Sequence, residues 1–198
     1  MSLANPYLQL FLALPAWARR QPMDLPWAAE SQHPAWQELK AAIARLFAWA
    51  VPTEEAISCI RRYCSTVIEI GAGSGYWSWL MRQAGMDVAA CDAAPPSFTW
   101  TPVERGDERT VDAYVVRDLV LCWPPWGTDM AFNALVRSAC PHVVYVGEWM
   151  GGSANPRFFA ELVARFEAID AVAIPQWVGR SDQLLVFRRR RGQLEGFP

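Results

Sequence analysis

One stretch, from Val67 to Tyr76, constrains the fold of this chain more than any other. A β-branched apolar run at residues 67–70 leads into glycines at 71, 73 and 75, and a helical pattern begins at once with Tyr76. A strand, a glycine turn and a helix in this order form a nucleotide-type binding loop. Glycine lets the backbone turn sharply and approach a ligand, and the helix N-terminus presents unpaired N–H groups to it.

The spacing of the glycines separates one cofactor class from another. A dinucleotide fingerprint, G-x-G-x-x-G, requires its third glycine at position 76, which is Tyr76 in this chain. The pattern is instead E-x-G-x-G-x-G, with Glu69 two residues before Gly71. This spacing disfavours NAD as the ligand.

Composition excludes several classes of protein. A chain of 198 residues that is 53% hydrophobic and 19% charged is long enough for one domain with a proper core and is not disordered. The net charge of −2 and the pI of about 5.7 provide no global positive field for nucleic acid or anionic membrane.

The cysteines and the N-terminus bear on localisation. Five scattered cysteines with no C-x-x-C pair predict neither a disulfide framework nor a structural zinc site, and they favour a reducing cytoplasm. The apolar run at residues 7–14 is too short to span a bilayer, and its arginines follow it, which is the wrong order for a signal peptide. We therefore expect a cytoplasmic protein without a membrane partner.

Alternating patterns predict the architecture. Helical spacing is expected over residues 3–14, 35–50, 53–63, 76–84, 128–138 and 155–166. Strands are expected at residues 66–70, 87–91, 99–104, 118–122, 142–146, 171–175 and 184–188. This alternation predicts an α/β fold with a doubly wound, mostly parallel seven-stranded sheet and helices on both faces. The last two strands have no helical pattern between them, which predicts antiparallel neighbours. Residues 1–52 form an N-terminal helical extension and residues 53–198 the α/β domain.

The pattern Glu69-x-Gly71-x-Gly73-x-Gly75 resembles motif I of the class I S-adenosylmethionine-dependent methyltransferases, and the resemblance covers about residues 53–190. It implies S-adenosylmethionine as the cofactor and a sheet whose seventh strand is inserted antiparallel. The glycine loop would hold the amino-acid part of the cofactor. The candidate cofactor-binding residues are Glu69, Gly71, Ala72, Gly73, Gly75, Tyr76, Asp92, Asp107 and Cys122.

Two acids follow predicted strands on the same edge of the sheet. Asp92 ends the second strand, 21 residues after Gly71, where the resemblance implies that a carboxylate accepts both ribose hydroxyls. Asp107 follows the third strand, where the resemblance implies a hydrogen bond to the adenine amino group. The alternatives are an acidic loop residue at 92 and an ordinary turn residue at 107.

The fourth strand ends in Cys122-Trp123-Pro124-Pro125-Trp126, which resembles the D/N-P-P-Y/F/W motif of amino-group methyltransferases. In that family the Asp or Asn accepts the target N–H, and the aromatic residue stacks on a planar substrate. Trp123 departs from the pattern, because indole donates a hydrogen bond and accepts none. Trp126 remains a candidate stacking face, and a Pro-rich turn with two packed tryptophans is the alternative. Cys122 is either a nucleophile without an obvious base or a buried free cysteine.

The fifth strand delivers Glu148 to the same edge, where burial would raise its pKa and suit it as a general base. A solvated acid or a partner for a substrate ammonium group are the alternatives. The catalytic candidates are Glu148, Trp126 and Trp123. The histidines, His33 and His142, have no Cys or Asp partner at motif spacing, so no metal site is predicted.

Four of the eleven tryptophans fall in the extension, at Trp17, Trp27, Trp36 and Trp49, and Trp149 follows the fifth strand. We expect these rings to line an apolar pocket with the extension as its lid. A helical cap over the sheet edge or a homodimer face are the alternatives.

The sequence thus predicts methyl transfer to the nitrogen, oxygen or carbon of a small, partly aromatic molecule. Two alternatives stay open: an adenine amino methyltransferase acting on nucleic acid, and a non-catalytic cofactor-binding module. The acidic pI and the missing Asp or Asn argue against nucleic acid.

Overall fold

A computed structural model describes residues 3–19 and 34–191 of the chain. Its centre is a seven-stranded sheet in the order β3-β2-β1-β4-β5-β7-β6. All neighbours are parallel except β7, which is antiparallel to both β5 and β6. The predicted fold class is confirmed. The strands are β1 Thr66–Ile70, β2 Asp87–Asp92, β3 Glu104–Arg105, β4 Asp118–Cys122, β5 His142–Glu148, β6 Phe166–Ala173 and β7 Asp182–Arg189.

The central strands are apolar almost throughout because helices cover both faces of the sheet. In β5, six of the seven residues are buried, and β1 and β4 have the predicted bounds. The prediction for β3 is wrong, since only two residues pair with β2. The preceding segment crosses the glycine loop instead: the Trp100 N–H donates to the Ser74 carbonyl, and the Trp100 indole donates to the Leu46 carbonyl.

Six α-helices surround the sheet: α1 Pro6–Ala13, α2 Pro34–Leu46, α3 Glu54–Tyr63, α4 Tyr76–Gln83, α5 Met130–Arg137 and α6 Pro156–Arg165 in the described part of the chain. The side chains of Thr53 and Asn155 cap α3 and α6 by accepting backbone N–H bonds, as their positions predict. Helix α2 ends earlier than predicted. The Phe47 carbonyl accepts from Ser74 Oγ and the Ala50 carbonyl accepts from the Trp77 indole, so this stretch is fastened to α4.

The N-terminal extension shares one hydrophobic core with the sheet. Tyr7 and Phe47 stack at 4.8 Å, and both rings contact Tyr76 at the start of α4. The Trp177 indole donates to the Tyr7 hydroxyl over 3.0 Å. The Tyr76 hydroxyl donates to Asn5 and accepts the Tyr7 backbone N–H. The extension therefore packs against the glycine-loop helix. None of the described helices is both long and apolar enough to cross a membrane.

Candidate functional site

A cavity of about 600 Å³ opens at the carboxyl ends of β1, β2 and β4. Its size lies in the range of small-molecule sites. Residues of five parts of the chain line it: the end of α2 with the following loop (44–49), the end of β1 with the glycine loop (69–74), Trp77 in α4, the loops after β2 and β3 (92–96 and 106–108), and the end of β4 with the chain after it (122–130).

The three glycines of the loop adopt left-handed conformations, with φ of +74° at Gly71, +54° at Gly73 and +73° at Gly75. The glycines serve different purposes. A Cβ on Gly75 would lie 2.7 Å from Val103 Cγ2, so this glycine allows close packing of the protein itself. A Cβ on Gly73 would meet no atom within 4 Å. At Gly73 the bare backbone faces open space in the cavity, which is where a ligand can approach it.

Asp92 lies where the sequence predicts it, at the end of β2 in the cavity wall. Its Oδ2 accepts the Gly73 N–H and its Oδ1 accepts the Ala94 N–H, both at 2.8 Å. The Cys91 carbonyl beside it accepts the N–H groups of Gly71 and Ala72. These bonds fix the glycine loop to the end of the neighbouring strand, so the carboxylate and the loop form one rigid unit.

Glu69 lines the cavity but is only 1% exposed. Ser78 Oγ, one helical turn into α4, donates to its Oε2 over 2.5 Å. Burial raises the pKa of Glu69 to about 7, although the hydrogen bonds from Ser78 lower it. The acid therefore fastens the glycine loop to the following helix, and its charge changes near neutral pH.

The raised pKa of Glu69 makes a testable contribution to stability. The unfolded chain releases this proton near pH 4.5 and the folded protein near pH 7, so the free energy of unfolding falls as the pH rises between these values. We expect this carboxyl to account for a loss of about 2 kcal/mol between pH 5 and pH 8. In Glu69→Gln, urea unfolding measured across this range should show a correspondingly flatter decline.

The control is Glu167→Gln. The Arg188 guanidinium lowers the pKa of the exposed Glu167, so this variant acts below pH 5 and should keep the wild-type slope between pH 5 and 8. An unchanged slope in Glu69→Gln would show that the carboxyl is not buried as described.

The other predicted cofactor residues divide into two groups. Asp107 and Cys122 line the cavity. The Asp107 carboxylate accepts the Arg109 N–H at 2.9 Å and caps the start of a 3-10 helix. Burial raises the pKa of the Cys122 thiol well above its usual range, so this side chain is a neutral part of the wall and not a nucleophile. Gly75 and Tyr76 are not among the lining residues described. The Tyr76 side chain points to the extension, and burial raises its pKa to about 12.

The two tryptophans after β4 have opposite environments. Trp123 lines the cavity in a left-handed conformation, with φ of +52°. Its backbone N–H donates to the Val146 carbonyl and its indole N–H donates to Asp182 Oδ1, both over 2.8 Å. Trp126 is 68% exposed and is not among the residues described as lining the cavity. Pro125, just before it, forms an antiparallel bridge with Ser153. The stacking face that the sequence led us to expect at Trp126 therefore lies outside the described cavity wall.

Glu148 also lies away from the cavity wall. Its Oε1 accepts the Ser181 N–H at 3.0 Å, and its Oε2 accepts from the Gly152 N–H at 3.1 Å and from Arg180 at 3.4 Å. Both oxygens thus hold the loops after β5 and before β7. This contradicts the expectation of a general base at the pocket mouth. Trp149 is likewise remote from the cavity and stacks on Phe187.

The sequence did not reveal two buried ionisable groups: Asp182, which accepts the Trp123 indole N–H, and Lys40, which interacts electrostatically with Asp182. Asp182 begins β7 and is fully buried, which raises its pKa to about 7. Lys40, in α2, is 3% exposed, and burial lowers its pKa to about 8. The signal available in the sequence was that Lys40 is the only lysine of the chain and lies on the apolar face of a strong helix.

In the extension, Trp49 lines the cavity and Trp36 is buried against Trp177. Trp27, His33 and the side chain of Trp17 lie outside the described residues. His142 has partners that sequence spacing did not reveal: the potential ligand atoms of Cys64, Asp118 and His142 lie within 4.8 Å of one another. Asp118 Oδ1 accepts the His142 N–H at 2.8 Å, which ties the starts of β4 and β5 at the edge opposite the cavity.

No family model matches the sequence, and no curated protein matches it. Solved structures of similar fold include a 1,6-didemethyltoxoflavin-N1-methyltransferase from Burkholderia thailandensis, 17% identical over 86% of this chain and 92% of that one, with a TM-score of 0.49. The N-methyltransferase NodS from Bradyrhizobium japonicum WM9 is 16% identical over 94% and 99%, with a TM-score of 0.48. Magnesium protoporphyrin IX methyltransferase from Synechocystis PCC 6803 is 10% identical over 78% and 79%, with a TM-score of 0.48.

These likenesses are remote, and the assignment of the fold rests on the sheet itself. Its strand order, with β7 inserted antiparallel between β5 and β6, is the arrangement that the resemblance in the glycine loop implies. The cavity lies at the carboxyl ends of the strands, where open α/β sheets bind their ligands. The chain has the fold of the class I S-adenosylmethionine-dependent methyltransferases.

Proposed function

We propose that the protein binds S-adenosylmethionine in this cavity and transfers its methyl group to a small, partly aromatic molecule. The observation that carries the proposal is the unit formed by Gly73 and Asp92. A bare glycine backbone and an oriented carboxylate face the same cavity, joined by a hydrogen bond of 2.8 Å. A nucleoside with a charged amino-acid tail needs both features.

The residues present fit this cofactor. Asp92 would accept the ribose hydroxyls, and the backbone of Gly71 and Gly73 would lie along the amino-acid part. Asp107, at the end of the cavity formed by the loop after β3, would accept the adenine amino group. Glu69 holds the loop from beneath through α4. When bound, the sulfonium supplies an electrophilic methyl group with its own leaving group.

The protein's task is then mainly to align the acceptor and to exclude water. Trp49, Ala48 and Trp123 provide an apolar part of the wall, and we assign the acceptor to this part. The acids of the described cavity wall, Glu69, Asp92, Asp107 and Glu108, all accept hydrogen bonds from the protein itself, and Glu148 is engaged by loop backbone. We therefore infer an acceptor atom that is nucleophilic without a protein base.

The extension supplies part of this wall, because residues of the 44–49 stretch line the cavity. Ser74 of the glycine loop bonds to the Phe47 carbonyl, and Trp77 of α4 bonds to the Ala50 carbonyl, so this stretch is held in place. We propose that it acts as a fixed side wall rather than as a separate domain. A net charge of −2 supports a small-molecule acceptor over nucleic acid.

Calorimetry with S-adenosylhomocysteine, the demethylated product, tests the proposal. We expect one site per chain with micromolar affinity, and at least a tenfold loss in Gly73→Ala, because the methyl group would project into the cavity from a residue with positive φ (about 1.4 kcal/mol or more).

The matched control is Gly85→Ala. Gly85 has a φ of +81° and equally open space, but it lies in the turn after α4. Both variants carry the same backbone strain, so both should lose similar stability, and only Gly73→Ala should lose affinity. No detectable binding to the wild-type protein would refute the proposed cofactor.

A further inference from the structure

Trp123, in the part of the cavity wall that we assign to the acceptor, has an unusual backbone conformation. A bulky residue rarely adopts a left-handed conformation, and Trp123 does so with φ of +52°. Such a backbone persists only where the surroundings determine it, and it is typical of functional sites. The turn places the indole of Trp123 in the cavity wall, whereas Trp126, three residues later, is exposed to solvent.

Asp182 and Arg180 hold the indole of Trp123 in place. Its N–H donates to Asp182 Oδ1 over 2.8 Å, and the Arg180 guanidinium carbon lies 5.0 Å from the ring centroid. Glu148 in turn accepts from Arg180. Asp182 is fully buried, and its Oδ2 has no hydrogen-bond partner in the described part of the chain. Burying a carboxyl with an unused oxygen is unfavourable, so its presence at this place calls for a role beyond packing.

Trp49 lies beside Trp123 in the cavity wall. Its ring lies 5.8 Å from that of Trp123 at an interplanar angle of 33°, so the two indoles form adjoining parts of one wall. Trp49 lines the cavity, yet 41% of it is exposed. A large aromatic surface that is both exposed and supported from behind suits stacking with a planar ring.

We propose that Trp49 is the platform on which a planar aromatic acceptor stacks, and that Trp123 and Asp182 are positioning residues that fix its orientation. This inference rests on the proposed function, since it names the acceptor class for the same cavity. The stacking residue is then Trp49 of the N-terminal extension and not Trp126. The buried carboxyl of Asp182 in β7 has the function of orienting Trp123. Asp182 acts only through the indole of Trp123 and touches no substrate.

A pH dependence follows from this arrangement. A hydrogen bond to an ionised carboxylate is stronger than one to the neutral acid, so ionisation of Asp182 should hold Trp123, and through it Trp49, more firmly. Burial raises the pKa of Asp182 to about 7, which places the change near neutral pH. The other titratable or charged groups that face Asp182 are Glu148, Lys40, Arg180, Tyr7, Tyr145 and Cys122.

The test uses the full chain saturated with S-adenosylhomocysteine and two neutral probes of similar shape, planar 2-naphthol and its saturated counterpart decahydro-2-naphthol. Ligand-observed NMR titration should show that 2-naphthol binds at least about fivefold more tightly. Trp49→Leu, saturated with S-adenosylhomocysteine as the wild-type protein is, should abolish this preference. Trp126→Leu is the matched control and should change neither affinity. Retention of the preference in Trp49→Leu, or its loss in Trp126→Leu, overturns the assignment.

Two further variants test the positioning residues. In the wild-type protein the affinity for 2-naphthol should rise between pH 6 and pH 8. Trp123→Phe keeps a ring but removes the N–H donor, and Asp182→Asn keeps an acceptor but removes the titration, so both should bind with no such rise. A rise that persists in Asp182→Asn excludes that carboxyl as its source and overturns its role.

The two levels of the hypothesis fail separately. If the protein does not bind S-adenosylhomocysteine, the proposed function itself is lost, whether or not 2-naphthol binds. If it binds S-adenosylhomocysteine normally and shows no preference for the planar probe, only the platform at Trp49 is lost.

Discussion

Asp92→Ala is expected to weaken the binding of S-adenosylhomocysteine by about 100-fold or more. The variant removes the carboxylate that would accept the ribose hydroxyls, and it also releases the N–H groups of Gly73 and Ala94 that this carboxylate now holds. Hydrogen bonds to a charged group contribute about 1.5–3 kcal/mol each, so the loss of two amounts to about 3 kcal/mol or more, equivalent to about 100-fold in affinity. Isothermal titration calorimetry measures it directly.

The control for this effect lies on the same strand. Asp87 begins β2 and pairs with Arg117 at 2.8 Å, with 62% of its side chain exposed. A surface ion pair of this kind contributes little to stability, and it is a full strand away from the cavity. Asp87→Ala should therefore bind S-adenosylhomocysteine as the wild-type protein does. An Asp92→Ala variant that is folded and binds within threefold of the wild type would show that this carboxylate has no contact with the ligand.

Trp177→Ala is expected to lower the free energy of unfolding by about 3–5 kcal/mol. Trp177 is 1% exposed, and its ring contacts those of Tyr7, Phe11 and Trp36, so it joins the extension to the sheet. Its indole also donates to the Tyr7 hydroxyl, which would be left buried without this donor. Urea unfolding monitored by circular dichroism gives the change, and the single shared core predicts one cooperative transition.

Trp126→Ala provides the comparison for the same residue type. Trp126 is 68% exposed, and its removal should change the free energy of unfolding by no more than about 0.5 kcal/mol. If Trp177→Ala were as mild as Trp126→Ala, or if it unfolded in two separate steps, the extension would not be part of the core that we describe.

The part of the cavity that we assign to the cofactor could be located from the sequence because its elements are local. Residues 66–76 form one strand, one turn and the start of one helix, and their types decide these conformations with little help from the rest of the chain. Asp92 could be predicted as well, since it ends the adjacent parallel strand and the carboxyl ends of such strands share one edge. The structure brings both to the same cavity.

The acceptor side could not be predicted in the same way. Whether Trp123 or Trp126 faces the cavity depends on one backbone rotation, at Trp123, that runs against the intrinsic preference of tryptophan. Glu148 stands at the expected edge, but the loop before β7 supplies the donors that turn its carboxylate away. Those donors are more than thirty positions distant in the sequence, at Arg180 and Ser181.

The sequence by itself determined the α/β architecture, the glycine loop and the acid that faces it, because strand alternation, glycine conformation and helix caps are short-range properties. Only the tertiary structure decided which aromatic and charged groups surround the proposed acceptor site. Trp49 comes from the extension, Trp123 from the end of β4 and Asp182 from the start of β7. Their meeting depends on the antiparallel insertion of β7 and on the packing of the extension against α4, and both are long-range consequences of burying one shared core.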